Sequence, residues 1–134
     1  SLDSLETAVG IHHVLSEGEP RSFPVFIEVN MSREAAKSGV APKEAARLLD
    51  DMMNACRLVS VEGLMTVAED TGDEKTLRET FGGLRELREA LRRASGLPLP
   101  ELSMGMSGDF TAAIEEGSTI VRVGSAIFGP RNYG

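Results

Sequence analysis

The chain carries a single cysteine, Cys56, among its 134 residues, so no disulfide can form within it and a reducing cytoplasm is the expected home. No apolar run is long enough to span a bilayer and no stretch resembles a signal peptide, which speaks against a membrane partner. Basic residues are scarce: 14 Lys and Arg stand against 21 Asp and Glu, a net charge of −7. That balance opposes the phosphate backbone of nucleic acid as a partner, while a small anion could still be held locally. A starting methionine is missing too, and a helix cap is expected as early as Asp3, so the opening reads like the middle of a longer chain. Metal-ligand patterns are absent. His12 and His13 are adjacent on a helical stretch and diverge, which argues against a shared ion. Glu69, Asp70 and Asp73 lack EF-hand spacing and suit a wet loop. Cys56 closes an apolar stripe and is expected to be a small buried residue.

Hydrophobic content of 41% is enough for one modest core. Asp3 and Glu6 have capping-box spacing, and Leu5, Ala8, Val9, His12 and Leu15 then recur at the helical period, up to a stop near Gly18 to Pro20. A strand is expected near 24–31, where PVFIEVNM is β-branched, aromatic and short. Pro42 suits a first helical turn, followed by the stripe Ala45, Leu48, Leu49, Met52, Met53 and Cys56. A second strand is expected near 58–67. A long helix from Glu74 to Ser95 follows from Leu77, Phe81, Leu84, Leu87 and Leu91, weakened by Gly82 and Gly83 at about 1 kcal/mol each. Glu74 with Arg78, and Glu89 with Arg93, are spaced to pair on its wet face. A third strand near 101–106, a short helix from Asp109 to Glu116 stopped by Gly117, and a fourth strand near 119–124 complete the pattern.

Strict alternation of helix and strand predicts parallel strands, because each helical crossover returns the chain to the same end of the sheet. Four such units amount to half of a βα barrel, whose full form takes about 250 residues. The expected fold class is therefore α/β, with residues 1–134 forming a single partial barrel domain. Its open edges would require a missing first half, a second copy, or an open sheet in place of a barrel.

Strand parity sorts the side chains. Val25, Ile27 and Val29 share one face of the first strand and Phe26, Glu28 and Asn30 the other. In the fourth, Ile120, Arg122 and Gly124 share a face opposite Thr119, Val121 and Val123. An arginine among valines needs a partner. Either it pairs with Glu28 or Glu62, or it meets an anionic or heteroaromatic ligand at the strand's carboxyl end. Ser107 and Gly108 follow the third strand, and Gly124 and Ser125 the fourth. Hydroxyls and glycines in two consecutive loops suit a phosphate cup, with ordinary helix caps as the rival reading.

The segment SMGMSGDFTAAIEEGSTIVRVGSAIFGPRNY closely resembles the carboxy-terminal signature of the pyridoxal-phosphate homeostasis proteins, single-domain relatives of the alanine racemase barrel. SLDSLETA, FIEVNMSREAAKSGV and VEGLMTV extend the resemblance, in order, along essentially the whole chain. It implies the carboxy-terminal half of an alanine racemase-like (β/α)8 barrel, with the amino-terminal half absent. It further implies that Ser107, Gly124 and Ser125 hold the cofactor's phosphate, that Arg122 reaches the cofactor, and that Met65 lines its pocket. Position 125 is Thr in many members, a mild departure because either hydroxyl can donate. The family's Schiff-base lysine lies on the barrel's first strand, outside this chain, so a covalent link to pyridoxal 5'-phosphate is expected only in a full-length protein. Lys37 matches a secondary lysine near the site.

The implied function is cofactor homeostasis, binding pyridoxal phosphate without robust catalysis. The alternative enzyme class is an amino-acid racemase, which would draw a catalytic tyrosine from a further β domain. Here the chain ends ten residues after Gly124 and has Tyr133 as its only tyrosine, which favours the carrier. A third reading is a half barrel that self-assembles. Expected partners are thus pyridoxal phosphate or another small phosphate anion, and either a second copy or the missing half.

Overall fold

A computed structural model describes residues 1–19, 21–32, 34–35 and 37–132. Four parallel strands, β1 (Phe23–Glu28), β2 (Val59–Met65), β3 (Glu101–Met106) and β4 (Ile120–Arg122), lie in sequential order. With that order each right-handed crossover places its helix on the same side of the sheet. The helical side holds the core: Val25, Ile27, Val29, Leu64, Leu102 and Met104 are buried with Ala8, Leu49, Met52, Phe81 and Leu84. Phe26, Glu28 and Asn30, on the opposite face of β1, are only half-buried.

Three strands are shorter than their sequence patterns suggest. The expected 24–31 reduces to β1, after which Val29 makes a single bridge to Val40. Chain from the following loop has folded back onto the strand's outer edge there. The expected 58–67 and 119–124 reduce to β2 and β4, because their last residues turn away into the loops that build the carboxyl end.

The first helix, α1 (Leu5–Ser16), is capped by Ser4 and not by Asp3. Ser4 Oγ accepts from the Thr7 N–H at 3.2 Å, whereas the Asp3 carboxylate accepts from the Gly39 N–H at 3.0 Å. Asp3 therefore ties the start of the chain to the loop after β1. Helix α1 ends at Ser16, before Gly18; Pro20 lies outside the described residues. A 3₁₀ turn at Pro42–Glu44 leads into α2 (Ala45–Ala55), which buries Ala45, Leu48, Leu49 and Met52, with Cys56 just beyond it. Met53 departs from the expected stripe and is 43% exposed, since one residue beyond Met52 is a rotation of about 100° around the helix. Burial raises the Cys56 thiol above its ordinary pKa and leaves it inert.

Helix α3 (Glu74–Ser95) starts on Asp73, whose carboxylate accepts from the Thr76 N–H, and stops at Gly96 with φ 73°. The hydroxyl of Thr76 also donates to Asp73 and lowers its pKa. Gly82 and Gly83 are sites of close packing. A Cβ on Gly83 would lie 2.8 Å from Met31 Cε, and one on Gly82 would lie 3.1 Å from Glu116 Oε2. Their cost in helix propensity thus brings the β1 loop and the next helix close to α3. That helix, α4 (Phe110–Glu115), is held to α3 by charge: Arg78 pairs with Glu74, Glu115 and Glu116, and Arg85 Nη1 reaches Glu116 Oε2 at 2.6 Å. Glu89 pairs with Arg88 and Arg92, at 3.1 and 2.8 Å, and not with Arg93 as its spacing suggested. A four-residue helix, α5 (Ser125–Phe128), follows β4 and has no counterpart in the sequence expectations.

The two sheet edges differ. On the outer edge of β1, Leu2 N–H donates to Phe26 O at 2.8 Å and Leu2 O accepts from Glu28 N–H at 2.7 Å. Val40 then exchanges bonds with Asn30 N–H and Glu28 O at 2.8 and 2.9 Å, and Pro24 has no N–H to offer. Beyond β4 no further strand is paired among the described residues. No helix among these residues is long and apolar enough to cross a membrane.

Candidate functional site

The stretch LSMGMSGDF closes β3 and enters α4. Its first glycine is explained by packing: Gly105 has φ 104°, and a Cβ there would lie 2.7 Å from Ala113 Cβ. Asp109 shapes the turn by accepting from the Met106 N–H at 2.7 Å. Gly108 and Gly124 differ, because a Cβ on either would meet nothing within 4 Å. No protein contact requires glycine at these two positions, and both border open space.

Ser107 joins the two loops. Its Oγ accepts from the Gly124 N–H at 3.2 Å and from the Ala126 N–H at 3.0 Å. Two main-chain donors at the start of α5 thus converge on one hydroxyl oxygen, and Ser125, between them, is exposed. Arg122, paired in register with Met106, is the last residue of β4, two positions before Gly124. Neither carboxylate suggested for it takes its charge: Nη2 donates to Thr66 O at 2.7 Å, Glu28 accepts from Ser38, and Glu62 from Ser60. Arg122 Nε is buried and has no hydrogen-bond partner among the described residues. Burial lowers the Arg122 pKa from its ordinary value, while the carboxylates of Glu28 and Asp109 act in the opposite direction. The group stays cationic at ordinary pH.

Met65, the last residue of β2, is half-buried between its register partners Glu28 and Ser103. Lys37, on the loop after β1, is also half-buried and directs Nζ to Ala68 O at 3.4 Å. The six residues singled out by sequence therefore gather at the carboxyl ends of the four strands. Ser107, Gly124 and the start of α5 form one hydrogen-bonded group. Arg122, Met65 and Lys37 are arranged around the end of β2. Thr66, which the sequence did not single out, sits at the centre of that second group. Its only sequence signal is a hydroxyl residue closing an apolar strand.

The sequence model of the family described as alanine racemase, N-terminal domain, matches residues 1–132. The chain belongs to that family. Curated relatives named pyridoxal phosphate homeostasis protein include that of Aquifex aeolicus, 46% identical over 109 residues, 81% of this chain and 47% of the relative. That of Vibrio cholerae is 44% identical over 123 residues, 89% of this chain and 51% of the relative. The chain spans about half the length of these relatives. Among solved structures, PipY of Synechococcus elongatus with PLP bound superposes with a TM-score of 0.86 at 29% identity, covering 96% of this chain and 59% of that one. An alanine racemase of Clostridium difficile, at 15% identity and a TM-score of 0.75 over 97% of this chain and 34% of that one, shares the fold.

These residues suit the phosphate and ring ends of pyridoxal phosphate. Ser107 Oγ takes the Gly124 and Ala126 N–H groups, the place an anion's oxygen would occupy on displacing it, and Arg122 Nε, two residues before Gly124, is a donor without a partner among the described residues. The Lys37 amine is directed to Ala68 O and not to Ser107.

Proposed function

We propose that this chain is the carboxy-terminal half of a pyridoxal phosphate homeostasis protein and carries the phosphate side of its cofactor site. In this reading Ser107, Gly124 and Ser125 hold the phosphate, Arg122 donates to the ring, Met65 lines the pocket and Lys37 is a secondary lysine. The observation that carries it is the buried Arg122 Nε, without a partner among the described residues, on the strand end that leads into the main-chain donors gathered on Ser107. Bound pyridoxal phosphate would supply an aldehyde that lysine amines can condense with and an electron-withdrawing ring. In this reading the residues here bind and orient the cofactor.

Surface area supports the half-barrel reading. The chain exposes 8163 Å², against roughly 6,800 Å² for a compact monomer of its 14.4 kDa mass. Phe23, Ile120, Ile127 and Phe128 are among its exposed apolar side chains. The blunted β1 edge favours a complementary half that extends the Leu2 bridge, over a second copy adding its β4 to the same edge.

Titration with pyridoxal phosphate, followed by borohydride reduction and mass mapping of lysines, tests the reading. Saturable binding without a stoichiometric lysine adduct on this chain is expected, together with an adduct in the amino-terminal half of a full-length protein. Robust alanine racemisation by that protein would refute the carrier role. Sedimentation of the chain with a separately expressed amino-terminal half should give a one-to-one complex; a closed homodimer would overturn the pairing.

A further inference from the structure

Thr66 is fully buried at the carboxyl end of the sheet and bonds to three other strands or their extensions. Its Oγ1 donates to Val29 O at 2.7 Å, its N–H donates to Ser103 O at 3.1 Å, and its carbonyl accepts from Arg122 Nη2 at 2.7 Å. A buried hydroxyl with one directed bond fixes the peptide that carries it, because leaving that bond unmade exposes two polar groups to an apolar interior. The Thr66 carbonyl is the one hydrogen-bond acceptor recorded for the Arg122 guanidinium among the described residues. Where that carbonyl points therefore decides where Nε, the unused donor, is presented.

We propose that Thr66 is a positioning residue: its hydroxyl, anchored on Val29, holds the carbonyl that orients Arg122 toward the cofactor site. This deepens the pyridoxal phosphate reading and rests on it for the ligand, but not for the geometry. Thr66 acts at a distance from the ligand, through Arg122. A purely structural threonine would instead change stability alone, leaving the arginine's solvent access and its contribution to binding as they were.

The test uses Thr66→Val, which keeps the shape and removes the hydroxyl, and Thr66→Ser, which restores it. In the unliganded chain, hydrogen exchange at Arg122 Nε–H, read by nitrogen-15 NMR, is expected to quicken roughly tenfold in the valine variant and to return near the parent rate in the serine variant. Unchanged exchange in the valine variant overturns the proposal. Pyridoxal phosphate titrations of the parent, Thr66→Val, Arg122→Ala and the double variant form a cycle. About tenfold weaker binding in Thr66→Val, vanishing in the Arg122→Ala background, is expected; a loss that persists undiminished there overturns the positioning role. Equal binding by parent and Arg122→Ala, or none by either, refutes the cofactor reading, while the exchange measurement still decides on Thr66. Thr66→Ala serves the same measurements if the valine chain does not fold.

Discussion

The two ends of the sheet are built to different standards. On β1, Val25 and Ile27 are buried, as is Val29 just beyond, and this outer edge is bonded by Leu2 and Val40. On β4, none of the three strand residues is buried, the outer edge has no strand beside it among the described residues, and Phe128 just beyond is 86% exposed. Yet Arg122, Gly124 and Ser125, half of the candidate site, belong to the second end. Burial and edge bonding are concentrated where the chain is wrapped, and the candidate site where side chains stay open. Local opening should accordingly be easiest around β4 and α5.

Breaking the contrast from the stable end should have the largest effect. Ile27→Ala removes a fully buried side chain under the helices and should cost about 4 kcal/mol in urea denaturation. Gly63→Ala comes next. Its Cβ would lie 1.9 Å from the Glu101 carbonyl oxygen, so β2 and β3 must separate, at about 3 kcal/mol in the same assay. At the other end the readout changes. Arg122→Ala, which strands the buried Thr66 carbonyl, should cost about 1–2 kcal/mol while weakening pyridoxal phosphate binding roughly tenfold, measured by titration.

Acid tests the link between the two ends. Glu116 has its pKa lowered first by its hydrogen bond to Arg85 and then by Arg78, against the opposing effect of burial. A carboxyl lowered in the folded state contributes stability above its unfolded pKa and loses it as pH falls through the folded value. Melting temperature should therefore drop by a few degrees as pH goes below about 4.5, the ordinary carboxylate range. Glu116→Gln should flatten that dependence, and an unchanged slope would remove the clamp between α3 and α4 from the account. The smallest effect is expected at Phe128→Ser, below about 0.5 kcal/mol in the isolated chain, because the side chain is already in water. The same change should weaken docking of a complementary half.

Much of the fold was legible because periodicity is a local signal. Leu77, Phe81 and Leu84 place α3 at the expected bounds, and ELSMGM marks β3 at its own. The misread positions are those where a distant partner decides. Asp3 has the spacing of a cap, but Gly39 takes its carboxylate, and Ser4 caps instead. Arg122 was legible as an inward cation, but its acceptor is a carbonyl contributed by a residue 56 positions earlier. The short α5 has too few residues to carry a period.

Sequence by itself determined the alternation of helix and strand, the parallel sheet that follows from it, and the presence of hydroxyl and glycine pairs after the last two strands. Only tertiary structure decided what the individual glycines and hydroxyls do. Gly105 is required by the methyl of Ala113, whereas Gly108 and Gly124 border open space. Ser107 spans two loops to collect main-chain donors, and Thr66 becomes the support of Arg122. The reason is physical. Element type follows from neighbours along the chain, but a hydrogen-bond partner is chosen by proximity in space, which strand order and the packing of crossovers supply.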